Sequence, residues 1–175
     1  MIKIFLIIAI ILGCAYLGRL FSKSLEIRTD IIKSFSQDIV LFKNLIFSEG
    51  RDLLFALNKM SVKGDYFLSN LYFKTYKSIE DNPSADVEKC WSNIISENDK
   101  ENGRTYIKED DLNKINAFGS VLSLLRHSAS INIIDSYLKE LNDYIEIQQT
   151  EQVKKTKIYS KMGLLGGLFI GIILI

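Results

Sequence analysis

The chain has 175 residues, enough for one folded domain, and carries 22 basic and 21 acidic side chains for a formal charge of +1. That balance gives no strong field for nucleic acid or an acidic substrate. One histidine and two distant cysteines, Cys14 and Cys90, leave no clustered metal site, argue against a disulfide and suit a reducing compartment. Pro83 is the only proline and interior glycine is sparse, so turn chemistry for a sandwich or barrel is missing. The expected class is all-α: an antiparallel six-helix bundle over 21–157 between transmembrane helices at 1–20 and 158–175.

The chain opens on the apolar run Ile4–Leu17. As helix, 1–18 would measure ~27 Å, with Lys3 near one face and Arg19 at the other, close to the ~30 Å of a bilayer core. Two other readings compete with a crossing. A cleaved signal peptide has an apolar region of only ~7–15 residues. Ile11-Leu12-Gly13-Cys14 resembles a bacterial lipobox, in which Cys14 would be lipidated and all that follows would lie outside the cell. Leu12 is uncommon at its place in that motif, and Arg19, Lys23 and Arg28 stand where a flexible polar tether is usual.

Between the ends, apolar residues recur every three or four positions, as on helices. Ile27, Ile31, Phe35, Ile39, Phe42 and Ile46 mark the first, with Gly50 as its stop. Leu53, Leu54, Leu57 and Met60 mark a short second helix closed near Gly64. Phe67, Leu68, Leu71, Tyr72, Tyr76 and Ile79 mark a third. Asn82 is the expected N-cap of the fourth, with Pro83 at its first position and Val87, Cys90, Trp91, Ile94 and Ile95 on its buried face. A polar loop follows over Glu97–Arg104. The fifth helix opens on Glu109-Asp110-Asp111, three acids that suit a helix N-terminus, and continues through Leu112, Ile115, Phe118, Leu122 and Leu125. Gly119 inside it marks a close helix crossing. The sixth carries Ile131, Ile134, Tyr137, Leu138, Leu141 and Ile145, and nothing up to Met162 forbids one long rod.

The last stretch, 158–175, is apolar beyond Lys161. It would measure ~27 Å, with Tyr159 at the interface and Lys161 snorkelling back to water. Gly163, Gly167 and Gly171 form a small-residue stripe, and Ala9 with Gly13 and Cys14 with Gly18 form two short ones, faces on which membrane helices pack closely. Arg19, Lys23, Arg28, Lys154, Lys155, Lys157 and Lys161 all lie on the side of the interior domain, against Lys3 alone outside it. The positive-inside rule therefore puts the domain in the cytoplasm and both termini across the membrane.

No enzyme emerges. His127 lies beside Ser128 without an oriented partner and reads as structural or solvated. Gly166-Gly167 does not sit between strand and helix, so no phosphate loop is present. The acids Asp110-Asp111 and Glu97, Asp99 and Glu101 read as a helix start and a solvated face rather than a cation site. No catalytic residue, cofactor or metal is expected.

Tyr159-Ser160-Lys161-Met162-Gly163-Leu164-Leu165-Gly166-Gly167-Leu168, Phe118-Gly119 with Leu122, and Trp91 together resemble the stage III sporulation protein AB family of endospore-forming bacteria. The N-terminal run and Gln37-Asp38-Ile39 are similar but less specific. Where that family usually shows glycine, aspartate and glutamine after the Phe-Gly pair, this chain has Ser123, Arg126 and Ser130. The resemblance implies a six-helix bundle similar to the cytoplasmic domains of type II secretion and type IV pilus platform proteins. It also implies a place in the mother-cell membrane around the forespore, with a stage III sporulation protein AA-type secretion ATPase and other channel proteins of the same operon as partners.

The expected function is a non-enzymatic platform that docks this motor. Its candidate partner surfaces are the loop residues Glu97, Asp99, Lys100, Glu101 and Arg104 and the juxtamembrane lysines, which also suit anionic membrane lipid. A membrane-anchored signalling scaffold, or a lipoprotein, unrelated to secretion is the alternative.

Overall fold

A computed structural model describes the backbone of residues 2–62, 66–98, 107–127 and 130–173. Towards the two ends only some side chains are described, among them Gly13, Tyr16–Leu20, Lys161, Met162, Leu165 and Phe169. Six α-helices and no strand occur among the described residues: α1 (Ile2–Lys43), α2 (Leu53–Ser61), α3 (Tyr66–Asp81), α4 (Val87–Asn98), α5 (Glu109–His127) and α6 (Ile131–Ile173). The chain divides into two compact units, one of Asp30–Ile145 and one of Met1–Thr29 with Glu146–Ile175.

In the first unit α2 packs on α3, α3 on α4 and α4 on α5. The buried faces follow the helical spacing: Ile31, Phe35, Ile39 and Phe42 on α1, Phe67, Leu68, Leu71 and Tyr72 on α3, Ile134, Leu138 and Leu141 on α6. Phe35, Ile39, Phe42, Leu57, Leu68, Leu71, Trp91, Ile115, Phe118 and Leu122 are wholly enclosed. Burying each such aliphatic or aromatic side chain stabilises by about 1.5–3 kcal/mol, which makes this set the main source of the bundle's stability.

Three local features differ from the sequence expectation. Helix α1 does not run unbroken to Gly50. It widens into a π-helical turn, Asn44–Ser48, with Glu49 N–H donating to Asn44 O at 3.1 Å. Gly50 then takes the left-handed conformation at φ 65, and Arg51 N–H turns back to Leu45 O at 2.9 Å.

The N-cap of α4 is Asp86, not Asn82. The Asp86 carboxylate accepts from Glu88 N–H and Lys89 N–H at 3.1 and 3.2 Å. Asn82 instead accepts from Ser84 N–H and, through its carbonyl, from Ala85 N–H, which makes Pro83 the second residue of a turn. Helix α4 also extends to Asn98, so Glu97 belongs to it rather than to a loop. Asp99, Lys100, Glu101 and Arg104 lie outside the described residues, as does Gly64.

The expected membrane segments fall mostly on side chains outside the description. Among the described residues no helix is long and apolar enough to cross a membrane, so the crossings at 1–20 and 158–175 are not seen in the fold. Lys157 and Lys161, both exposed, stand among the described apolar positions of α6. In this second unit Arg28 and Thr29 are buried, and the Thr29 hydroxyl donates to Leu25 O at 3.0 Å.

Candidate interaction site

The bundle is organised around Phe118. Its ring meets Phe35 and Phe42 of α1 edge-on at 5.9 and 5.5 Å, Trp91 of α4 at 5.6 Å and Tyr137 of α6 at 5.5 Å. Edge-to-face pairs of this kind add about 0.5–1.5 kcal/mol beyond the area they bury. Tyr72 of α3 stacks on Trp91, and the Trp91 indole N–H donates to Ile115 O at 3.0 Å. The residue after Phe118 has no side chain because Trp91 occupies the space: a Cβ on Gly119 would lie 2.8 Å from its Cδ1. Leu122, one turn on, is wholly enclosed.

Polar groups inside the bundle are paired across helices. Asp111, fully buried at the third position of α5, accepts from its own helix start, Lys108 N–H at 2.9 Å, and from the Tyr144 hydroxyl of α6 at 2.7 Å. Tyr72 donates to Asp38 of α1 at 3.1 Å, Tyr137 to Lys114 O at 2.7 Å, and Ser36 to Asn142 at 2.8 Å. Burial holds both Tyr72 and Tyr137 above the usual tyrosine range, reinforced by the Asp38 charge for the first and the Glu140 charge for the second. The sequence marked Asp111 only as part of an acidic helix start, and its pairing with Tyr144 carries no local signal.

Arg126 is a second residue that sequence reasoning did not place. From the last turn of α5 its guanidinium donates to Ala85 O at 2.9 Å and also to Pro83 O, clamping the turn between α3 and α4. His127 beside it is exposed.

Between α4 and α5 runs an open trough. Short side chains edge it, Ser92 and Ser96 from α4 and Asn113, Asn116 and Ser120 from α5, and Ile95 and Leu112 form its floor. Glu88, whose carboxylate accepts from Ser120 at 2.6 Å, stands near one end and Glu109 at the other.

In the unit formed by the chain ends, Arg19, Lys23, Lys154, Lys157 and Lys161 are exposed, and Lys155 pairs with Glu151 at 2.6 Å. Gly13 is exposed, with no described atom within 4 Å of a Cβ placed there, whereas Gly18 is buried. The surroundings of Gly163, Gly167 and Gly171 lie outside the description. Among the described residues no group of His, Cys, Asp or Glu is placed to hold a metal ion.

Among the described residues, the fold and this set of side chains define a helical protein with polar groups paired across helices and an aromatic core. The chain belongs to the stage III sporulation protein AB family, whose model matches residues 3–175. That is not a known enzyme family, and its name ties the chain to stage III of sporulation. No curated protein and no solved structure shows significant similarity to the chain.

Proposed function

We propose that the protein is a non-enzymatic platform of the stage III sporulation machinery. The outer ends of α1 and α6 hold it in the mother-cell membrane around the forespore, and its cytoplasmic bundle docks a secretion-type motor ATPase and contacts other channel proteins. One observation carries the membrane part. Ile158, Met162, Leu165 and Phe169 of α6 are each more than half exposed and recur at i, i+4, i+7 and i+11, on one helix face. The helical register sets Gly163, Gly167 and Gly171 on the opposite face.

Four large apolar side chains left in water forgo about 1.5–3 kcal/mol each, which lipid would return. The exposed cations Arg19, Lys23, Lys154, Lys157 and Lys161 favour an anionic cytoplasmic surface by about 1 kcal/mol apiece, which supports a bundle on that side. Motor docking rests on family membership together with an all-helical domain whose buried polar groups are engaged in packing.

Co-purification of the tagged full-length chain from sporulating cells tests the assignment. The ATPase and at least one channel protein should be recovered from the membrane fraction. Recovery of neither removes the reading.

A further inference from the structure

We infer that the trough between α4 and α5 is a docking groove for an extended, basic segment of a protein partner. The inference goes beyond the platform reading and does not depend on it.

The trough exists because of the Trp91–Gly119 contact. Trp91 lies against the Cα of Gly119 and so lets α4 and α5 approach closely along one line, while the short side chains beside that line leave the outer crevice unfilled. Longer residues would have covered Ile95 and Leu112. Instead two serines and two asparagines frame them.

Asn113 and Asn116 supply the recognition. Neither amide has a hydrogen-bond partner among the described residues, so each presents a free donor pair and a free acceptor. Three apart on one helix, their Cβ atoms are ~5–6 Å from each other. An extended chain offers an N–H and a C=O on the same side every second residue, ~6.6 Å apart. The side-chain amides bridge that small difference, so main chain rather than sequence is what they fit.

Charge sets the occupant. Three acids, Asp86, Glu88 and Glu109, line the trough against one base, Lys89, which pairs with Asp86 at 3.6 Å. Glu109 has no ion-pair partner among the described residues. Glu88 is held at the Ser120 end, and Ser120 and Glu109 are eleven residues apart on α5, ~16 Å along the axis. At ~3.3 Å per residue that span is about five residues. Side chains of an extended chain alternate between its two faces, so two arginines on one face about four residues apart, ~13 Å, cover the remainder with their own length. An acidic segment would meet like charge at both ends.

The test uses the purified full-length chain and fluorescence anisotropy with three labelled pentapeptides. The first is Arg-Ser-Val-Ser-Arg, the second has glutamate at both ends, and the third is the first with its central amides N-methylated. The arginine peptide should bind, and the other two should bind at least about tenfold more weakly. Asn113→Ala with Asn116→Ala should erase the penalty of N-methylation, and Glu88→Gln with Glu109→Gln should erase the preference for arginine. All four positions border the open trough, so an unchanged melting temperature checks that the variants fold. Absence of binding, equal affinity of the three peptides, or affinities untouched by the substitutions would each overturn the inference. So would a concentration-dependent dimer abolished by Asn116→Arg, which would give the groove to a second copy of the chain. Because the readout is peptide binding, it can fail while association with the ATPase stands.

Discussion

Trp91 sits where the side chain of residue 119 would be: a Cβ there would meet Cδ1 at 2.8 Å and Cγ at 3.2 Å. The ring cannot swing aside, because its N–H is tied to Ile115 O and its edge is set against Phe118. Gly119→Ala gains about 1 kcal/mol in helix propensity. Overpacking a closed core costs about 1–3 kcal/mol, so the net effect is a loss of up to about 2 kcal/mol, read as a lower urea midpoint at unchanged slope. Gly50→Ala is the contrast. Nothing lies within 4 Å of its Cβ, but φ is 65, and the loss of about 1 kcal/mol would come from backbone strain.

The buried tyrosines make the bundle sensitive to alkali. Burial, with Asp38 beside Tyr72 and Glu140 near Tyr137, keeps both hydroxyls protonated in the folded chain above the pH at which they ionise when unfolded. The unfolded state therefore binds fewer protons above about pH 10, and stability falls as pH rises from there. Each tyrosine contributes a slope of about 1.4 kcal/mol per pH unit once its unfolded form is ionised. Tyr72→Phe and Tyr137→Phe should each remove one such share from the slope of unfolding free energy between pH 10 and 11. An unchanged slope in both variants would contradict the burial assigned to these hydroxyls.

Helix number and most buried faces were legible in the sequence because a packed amphipathic helix must repeat its apolar side chains every three or four residues. Ile31, Phe35, Ile39 and Phe42 do so, and all four are buried. The start of α4 was misread because Asn82-Pro83 carries a strong local capping signal. Asn82 satisfies Ser84 instead, and Asp86, which is next to no proline, takes the cap. The π-helical turn has no composition of its own, so nothing in Asn44–Ser48 announces it. Pairings such as Asp38 with Tyr72 and Asp111 with Tyr144 join residues 34 and 33 positions apart and follow only from the way helices assemble. The trough was invisible for the same reason, since its serines and asparagines look like ordinary surface until α4 and α5 are set side by side.

Asp111 and Tyr144 separate the two costs of a buried hydrogen bond. Tyr144→Phe removes a donor but leaves Asp111 its bond from Lys108 N–H, and should cost about 1 kcal/mol. Asp111→Ala removes both bonds at once, the one from the Tyr144 hydroxyl and the one from the Lys108 amide, and should cost about 2–3 kcal/mol. Combined, the two substitutions should cost less than their sum, by about 0.5–1 kcal/mol, which a double-mutant cycle on urea unfolding measures.

Arg126 predicts a local effect rather than a global one. Its guanidinium binds two carbonyls of the Pro83–Ala85 turn from an exposed position, so Arg126→Ala should lower stability by no more than about 1 kcal/mol. The turn itself should loosen. Hydrogen exchange at Ser84 and Ala85, whose amides donate to Asn82, should quicken several-fold while that of Trp91 in α4 stays unchanged. Arg126→Lys should restore little, because a single ammonium does not reproduce a fork that spans two carbonyls.

The apolar face of α6 gives a test of anchorage that does not rely on any partner. Leu165 and Phe169 lie on that face and are 62% and 66% exposed. A charge near the middle of a membrane helix costs about 2.5–3.5 kcal/mol, and the apolar tail as a whole favours insertion by only about 3–5 kcal/mol. Leu165→Lys should therefore cancel most of the driving force of the C-terminal segment, and Leu165→Lys with Phe169→Lys should exceed it. Carbonate extraction should find both variants still in the membrane, the double variant held there by the N-terminal segment alone. Removing residues 1–20 as well should bring the chain wholly into the soluble fraction. A double variant that remains as resistant to extraction as the parent, even without residues 1–20, would mean that this face meets protein instead of lipid.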